Sequence, residues 1–390
     1  MKYTPLNVVV LLAPLVVSFA VGQDIFVPEV PELVNIFHTS QGLVQLTLSL
    51  FMLAAGAGQL IIGPLSDRFG RKSIALLSLL LYSIASIAAA LSPSIAFLIF
   101  ARMIQGLGAC GMMVCAFAMV RDLFSGNESA EIYSYLNGSI AISPLLAPLA
   151  GGYLNAWFGW RAPFFFLAIL GISIFIAIFL FLSETIKKKN KEISLTDIFR
   201  HYLQIVKNRQ FLIFTFIAAS ALAGFFTFFS VSPYILITLL HVPTTQFGYY
   251  FAFIGIIFFI GSITAGKLNV KIGFVRVAFL GCILFFSSGI IMFLWTLCCG
   301  TTVGSFILPM AFSAMGGAFM MGASAGGALE PFPGIAGTAA ALLGASEFLF
   351  STCIATITLL WPIQSNMPLV IVFIIFGALT TLLMALFRWG

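Results

Sequence analysis

The chain of 390 residues is 61% hydrophobic and only 8% charged, with a mean hydropathy of +1.13. No water-soluble core hides that much apolar surface, so a soluble enzyme or binding domain is excluded. The formal charge of +6 is not a nucleic-acid footprint either, because the basic residues are scattered through short breaks between apolar runs.

A membrane crossing takes roughly 20 apolar residues. Twelve candidate spans follow one another, over 6–26, 42–65, 74–91, 94–120, 132–156, 162–182, 211–238, 245–266, 275–297, 302–329, 335–360 and 367–387. The alternation of a membrane β-barrel is absent, so the spans are read as helices. The expected fold class is an all-α membrane protein of twelve transmembrane helices. It divides into six-helix halves, 1–183 and 211–390, joined by a linker over 184–210. Lys2 and the run after it look like a secretory leader, but the run is long and lacks a small-x-small cleavage site, so a retained first helix is expected. With the N-terminus in the cytoplasm, all but Arg102 and Arg161 of the 18 Lys and Arg residues fall on the cytoplasmic side, as the positive-inside rule requires. Trp157, Trp160, Trp295 and Trp361 then fall at outer ends, where indole rings anchor the interface.

The first span ends in Gln23-Asp24-Ile25-Phe26-Val27-Pro28. A carboxylate in a low-dielectric medium favours its neutral form, so Asp24 can load and unload a proton as its exposure changes. The plainer reading is an acid reaching the outer surface, since Glu29 and Glu32 follow in what reads as a polar loop. Between the second and third spans lies the densest charge in the chain, Gly63-Pro64-Leu65-Ser66-Asp67-Arg68-Phe69-Gly70-Arg71-Lys72. One acid and three bases in a Gly-bounded turn are placed to lock neighbouring helix ends in one conformation and release them in another. Arg102 in the fourth span needs an acid or a carbonyl partner at its depth, and Asp24 is the acid expected. Gln105 lies about one turn away and shares its face. Gln45 and Asn137, in the second and fifth spans, join Gln105 as candidate substrate-cavity residues.

The fifth span contains Ser143-Pro144-Leu145-Leu146-Ala147-Pro148-Leu149-Ala150-Gly151-Gly152. Pro144 and Pro148 bend a helix, while Gly151 and Gly152 allow close approach of a neighbour. In the linker, Leu195, Ile198, Phe199, Tyr202, Leu203 and Val206 recur at helical spacing among polar residues, which predicts an amphipathic helix on the cytoplasmic leaflet. Phe225, Phe226, Phe228 and Phe229 in the seventh span either line an apolar pocket or simply pack. In the second half Gly266, Lys271 and Gly273 stand 203 positions beyond Gly63, Arg68 and Gly70, with Val270 in the place of Asp67. Such weak internal symmetry is expected of a transporter built from two repeats, with substrate bound near mid-membrane between them. Glu347, in the eleventh span, is either a second proton site or a helix-to-helix hydrogen-bonding group. The six cysteines lack metal-ligand spacing and read as small packing residues. No metal or cofactor is expected. His38, His201 and His241 lie in loops without the companions a catalytic site needs, so an enzyme is not expected.

The loop Gly63–Lys72 closely resembles the signature loop between the second and third helices of major facilitator superfamily transporters. The likeness extends to Asp24-Ile25-Phe26-Val27-Pro28, Val44-Gln45-Leu46-Thr47-Leu48-Ser49, Arg102-x-x-Gln105-Gly106, Val120-Arg121-Asp122-Leu123-Phe124, the Pro144/Pro148/Gly151/Gly152 helix, Trp160-Arg161-x-Pro163-Phe164 and Ser183-Glu184-Thr185. It is similar in particular to the twelve-helix drug/proton antiporters of the Bcr/CflA type and to chloramphenicol/florfenicol exporters. The resemblance implies that Asp24 couples proton and substrate, that Arg102 takes part in proton transfer, and that the fifth-span motif marks an exporter. Glu347 departs from that pattern, in which a neutral residue is usual. The expected function is a proton-coupled exporter of a small, lipophilic organic molecule, working by alternating access as a monomer in the bacterial inner membrane with both termini cytoplasmic. Its expected partners are substrate, protons and lipid, not nucleic acid. The alternative is a transporter of a siderophore or other metabolite, in either direction.

Overall fold

Inside a bilayer there is no water to satisfy backbone N–H and C=O groups, so an apolar run of this length must close its hydrogen bonds within itself as a helix. The computed structural model describes residues 5–124, 132, 135–136, 138–140, 142–186, 195–332, 335–358 and 363–389. Its helices are α1 (Pro5–Asp24), α2 (Val30–Ile36), α3 (Gln41–Phe69), α4 (Arg71–Ala90), α5 (Ile95–Leu123), α6 (Ser143–Phe158) and α7 (Ala162–Phe181). They continue with α8 (Leu195–Val206), α9 (Arg209–Ser232), α10 (Thr244–Ile272), α11 (Phe274–Cys299), α12 (Val303–Leu329), α13 (Ala336–Thr358) and α14 (Met367–Trp389). Among the described residues, 11 helical stretches are long and apolar enough to cross a membrane. The expected fifth span, 132–156, is described as an unbroken helix only from Ser143 onward.

The chain divides into two compact units, Met1–Ser194 and Leu195–Gly390, and the two repeat one packing plan. In the first, α5 packs on α1, α3 and α4, α4 packs on α7, and α1 packs on α6. In the second, α12 packs on α9, α10 and α11, α11 packs on α14, and α9 packs on α13. The opening span of each unit is also broken at a proline. A 3-10 turn, Val27–Glu29, follows α1 and leads into α2. A π-helical stretch, Pro233–Leu239, follows α9. Proline lacks an N–H, so the regular i to i−4 ladder cannot continue through it. The paired glycine turns match as well. Gly70, between α3 and α4, has φ 105° and ψ 143°, and Gly273, between α10 and α11, has φ 83° and ψ 151°. A side chain is strained in that region, which is why both copies keep glycine.

Helix starts use local caps. The Oγ atoms of Ser40 and Ser94 accept from the N–H groups of Leu43 and Phe97, each at 3.3 Å. Asn208 Oδ1 accepts from Phe211 N at 2.9 Å. Such caps satisfy donors left over at a helix N-terminus. The linker helix is present as α8, Leu195–Val206. In it Leu203 and Val206 are exposed while Ile205 is buried, so one side is free for lipid and the other turns inward toward α13. Trp160, expected at the interface, is instead buried, with its ring edge-on to Phe37 at 5.4 Å and to Phe164 at 6.3 Å. Of the Phe225–Phe229 run, Phe226, Phe228 and Phe229 are buried. Phe228 lies 4.9 Å from Phe251 and 5.5 Å from Phe306, and Phe225 meets Phe258 edge-on at 5.1 Å, all within the second unit. The run packs the helices there.

Close helix approach in the first unit depends on glycine. A Cβ built on Gly106 would overlap the Phe51 carbonyl of α3, and one on Gly151 would overlap the Ile25 carbonyl beyond α1. Gly106→Val and Gly151→Val are therefore expected to destabilise the folded chain by about 2 kcal/mol or more, the cost of overpacking a tight contact. Gly266→Ala, at a site with no atom within 4 Å of the added carbon, is expected to be neutral. Thermal melts in detergent compare the three.

Candidate functional site

Arg102 is fully buried on α5. Its Nη1 donates to Gly22 O at 2.8 Å and to Gln105 Oε1 at 2.5 Å, and its Nε donates to Thr47 O at 3.3 Å. Two carbonyls and one side-chain amide thus take the place of the acid expected as its partner. No ion pair joins Arg102 to Asp24 among the described residues. Gly22 itself has no Cβ where the Tyr82 ring packs: a Cβ there would fall 2.7 Å from the Tyr82 hydroxyl. Phenylalanine rings surround the cation, with Phe51 at 4.3 Å, Phe26 at 5.3 Å and Phe164 at 5.9 Å from its centre, and their negative faces stabilise a desolvated cation. From Gln105 the network continues inward. Gln105 Nε2 donates to Ser86 Oγ at 2.6 Å, and Ser86 Oγ donates to Tyr82 O at 2.7 Å. Tyr82 OH donates to Ser18 O at 3.1 Å, returning the chain to α1.

Asp24 is the last residue of α1 and is only 4% exposed, so it does not reach the surface. Its Oδ2 accepts from the Ser143 hydroxyl at 2.7 Å. Ser143 opens α6, the helix that carries Pro144, Pro148, Gly151 and Gly152. Gly151 and Gly152 are buried, and Gly151 lies against the Ile25 carbonyl next to Asp24. The acid and the proline–glycine helix therefore form one joint. Nothing in the spacing announced Ser143 as the residue that binds Asp24; the pair is 119 positions apart. Gln45 is buried on α3. Asn137 lies outside the described residues. Glu347 sits half-buried on α13 in the second unit, where its backbone carbonyl accepts from Ser351 Oγ at 2.5 Å.

The charged turn is organised by one residue. The Arg71 side chain is 3% exposed and pairs with Asp67 one turn away on the other side of Gly70. It also reaches Asp122 Oδ2 at the end of α5, at 3.1 Å, and donates to Ser66 Oγ at 2.5 Å. Its backbone N–H donates to Glu184 Oε1 at 2.9 Å, and Thr185 Oγ1 donates to Asp122 Oδ2 at 3.3 Å. Four chain segments thus converge on Arg71, and Asp122 and Glu184 are the partners that sequence reading left without a role. Arg68 does not join them and lies over the Phe69 ring at 5.3 Å. Lys72 Nζ donates to Phe179 O at 2.9 Å. Gly63 has open space around it. In the second unit Val270, in the place of Asp67, is 90% exposed, so the same turn exists there without the acid.

This arrangement can be set beside known proteins. The family model described as Major Facilitator Superfamily matches residues 12–356. The chain belongs to the major facilitator superfamily. It is a multi-pass membrane transporter, and its spans complete the twelve-helix, two-half fold of that superfamily. It is 31% identical over 342 residues to a chloramphenicol resistance protein of Pseudomonas aeruginosa, covering 87% of this chain and 81% of the relative. Multidrug resistance protein D of Escherichia coli is 27% identical over 376 residues, covering 96% and 94%. A bicyclomycin resistance protein homolog of Haemophilus influenzae is 29% identical over 337 residues, covering 84% and 82%. These relatives place the chain in the Bcr/CflA-type branch of the superfamily. Among solved structures, a D-xylose–proton symporter superposes with a TM-score of 0.71 at 18% identity, covering 96% of each chain, and supports the fold.

In this superfamily member, removing the Arg71 side chain takes the ion-pair partner from Asp67 and Asp122, leaving Asp122 the Thr185 hydroxyl and Ser66 its bond to Gly63 O, in a part-buried corner. Arg71→Ala is expected to cost about 2–3 kcal/mol, whereas Arg68→Ala, which loses only a surface ring contact, is expected to change stability little. Denaturation of the purified variants in detergent checks the difference.

Proposed function

We propose that the chain is a proton-coupled exporter that exchanges inward-moving protons for an outward-moving small, lipophilic organic molecule by alternating access. The observation that carries this reading is the joint between Asp24 and α6. A buried carboxyl that accepts a hydrogen bond from Ser143 can hold its negative charge only while that contact and its surroundings persist. Protonation removes the charge and weakens the contact, so the proton is linked to how α6 sits on the end of α1. Gly151 against the Ile25 carbonyl makes that packing tight, so a small change at Asp24 is transmitted rather than absorbed. Pro148, inside α6, supplies a bend where the helix yields. Arg102, bonded to the Gly22 carbonyl two residues before Asp24 and to the Thr47 carbonyl of α3, fixes the backbone of the same segment. The Arg71 junction ties the ends of α3, α4 and α5 to the segment after α7 and stabilises one of the two conformational states.

The names of the relatives, which concern resistance to chloramphenicol, bicyclomycin and other drugs, support outward transport of organic molecules. The membrane is the bacterial inner membrane, with both termini cytoplasmic and the transporter acting as a monomer. This orientation places the Arg71 junction on the cytoplasmic side and Asp24 toward the outer side, in agreement with the distribution of Lys and Arg.

Uptake by inside-out vesicles tests the proposal, using chloramphenicol, ethidium and a ferric siderophore as probes with and without an acid interior. The expected result is gradient-dependent accumulation of at least one probe, reduced by Asp24→Asn to the level of vesicles lacking the protein, with Ser143→Ala giving an intermediate loss. Accumulation that is indifferent to Asp24→Asn overturns the coupling role of Asp24. Uptake confined to right-side-out vesicles overturns export.

A further inference from the structure

Glu29 was expected in a polar loop, yet it is fully buried. It closes the 3-10 turn Val27–Glu29, between Asp24 at the end of α1 and the start of α2. Neither carboxyl oxygen has a hydrogen-bond partner among the described residues, and neither described ion pair involves it. The local sequence explains the lack of a donor. Pro28 and Pro31 have no N–H to offer. The N–H of Glu29 donates to Phe26 O at 3.2 Å, and that of Val30 to Val27 O. Of the elements packed against this turn, α2 brings Glu32, another acid, and α6 brings no charge. Tyr153 is the titratable side chain of α6, and its ring lies against Trp157 at 5.5 Å. The buried cation Arg102, 5.3 Å from the Phe26 ring, directs its described bonds to Gly22, Thr47 and Gln105.

A fully buried carboxylate whose oxygens meet no donor or cation among the described residues is costly by several kcal/mol, and such a group takes up a proton instead. In this packed state Glu29 is therefore a carboxylic acid. From this geometry we infer that Glu29 is a second proton-binding site of the transporter, five positions after Asp24. A proton adds to a Glu29 oxygen when the turn is packed against α6, and that O–H bond releases it to water when the turn opens. Glu32 lies one turn further on, exposed and bonded through its Oε2 to Asn155 Nδ2 at 2.9 Å. It marks the side from which water reaches the pair. The inference rests on the proton-coupled reading above and assigns that reading a second carboxyl.

The test is pH-difference infrared spectroscopy of the purified full-length chain, following the C=O stretch of protonated carboxyl groups. In an Asp24→Asn/Glu347→Gln background, one buried carboxyl band is expected to remain. Adding Glu29→Gln is expected to remove it, and adding Glu29→Asp to shift it. Proton release after an alkaline pH jump is expected to fall by one proton per chain on Glu29→Gln. A spectrum and a proton count that Glu29→Gln leaves unchanged overturn the inference. If that variant does not run as a monodisperse species on size exclusion, Glu29→Asp decides: a shifted band supports the site and an unshifted one overturns it. The measurement uses neither substrate nor gradient, so failure of vesicle transport would count against the exporter reading alone.

Discussion

A fully buried guanidinium group sets the terms for the first half of this transporter. Arg102 must spend its N–H groups on acceptors that the chain supplies, and those acceptors are backbone carbonyls of α1 and α3 together with Gln105 of its own helix. Each requirement constrains a neighbour. Gly22 supplies its carbonyl, and its missing side chain leaves room for the Tyr82 ring. Gly106 lets α5 lie directly on the Phe51 carbonyl. Phe26, Phe51 and Phe164 present ring faces to the cation. The described bonds of Arg102 thus go to two carbonyls and one amide oxygen, while Asp24 takes its hydrogen bond from Ser143.

The two halves share a packing plan and differ in chemistry. Both have a proline-broken first span, a six-helix arrangement with the same neighbours, and a glycine turn of nearly the same conformation. The first half fills its interior with polar groups: Arg102, Gln105, Ser86, Asp24 and, at the turn, Arg71 with Asp67 and Asp122. The second half buries hydroxyl side chains but packs clusters of phenylalanine, Phe228 meeting Phe251 and Phe306 and Phe285 meeting Phe373 at 4.8 Å. Buried polar groups need specific partners and have discrete arrangements, whereas aromatic packing is cohesive but less directional. Glu347 is the half-buried ionisable exception in the second half.

Several features were readable without coordinates because they are local. Span length follows from bilayer thickness, the amphipathic period of α8 from 3.6 residues per turn, and the Gly70 and Gly273 turns from the conformational freedom of glycine. The repeat at a spacing of 203 residues, faint as a sequence signal with Val270 replacing Asp67, corresponds to a real structural equivalence of the two turns. Asp24, Arg102, Gln105 and the Gly151 helix were identified from the cost of burying charge and from resemblance, and the structure brings these four into one region. Arg71 and Arg68 looked alike in sequence, since both flank Gly70. The turn at Gly70 separates them: Arg71 opens α4 and there reaches Asp67, Asp122 and Glu184, while Arg68 stays on α3 over the Phe69 ring.

By itself, then, the sequence determined the solvent of this protein, the number and extent of its crossings, the places where the chain turns, and its family. Those properties depend on residues within one turn or one span of each other. Which group answers which was decided only by the tertiary structure. Arg102 could have met an acid or a carbonyl, and the choice depended on a backbone atom 80 positions away. Glu29, between two prolines and followed by further polar residues, reads as surface; it is buried because the 3-10 turn folds α2 back and α6 covers it. Partner choice and burial are set by how helices distant in sequence approach one another, and no local period encodes that approach.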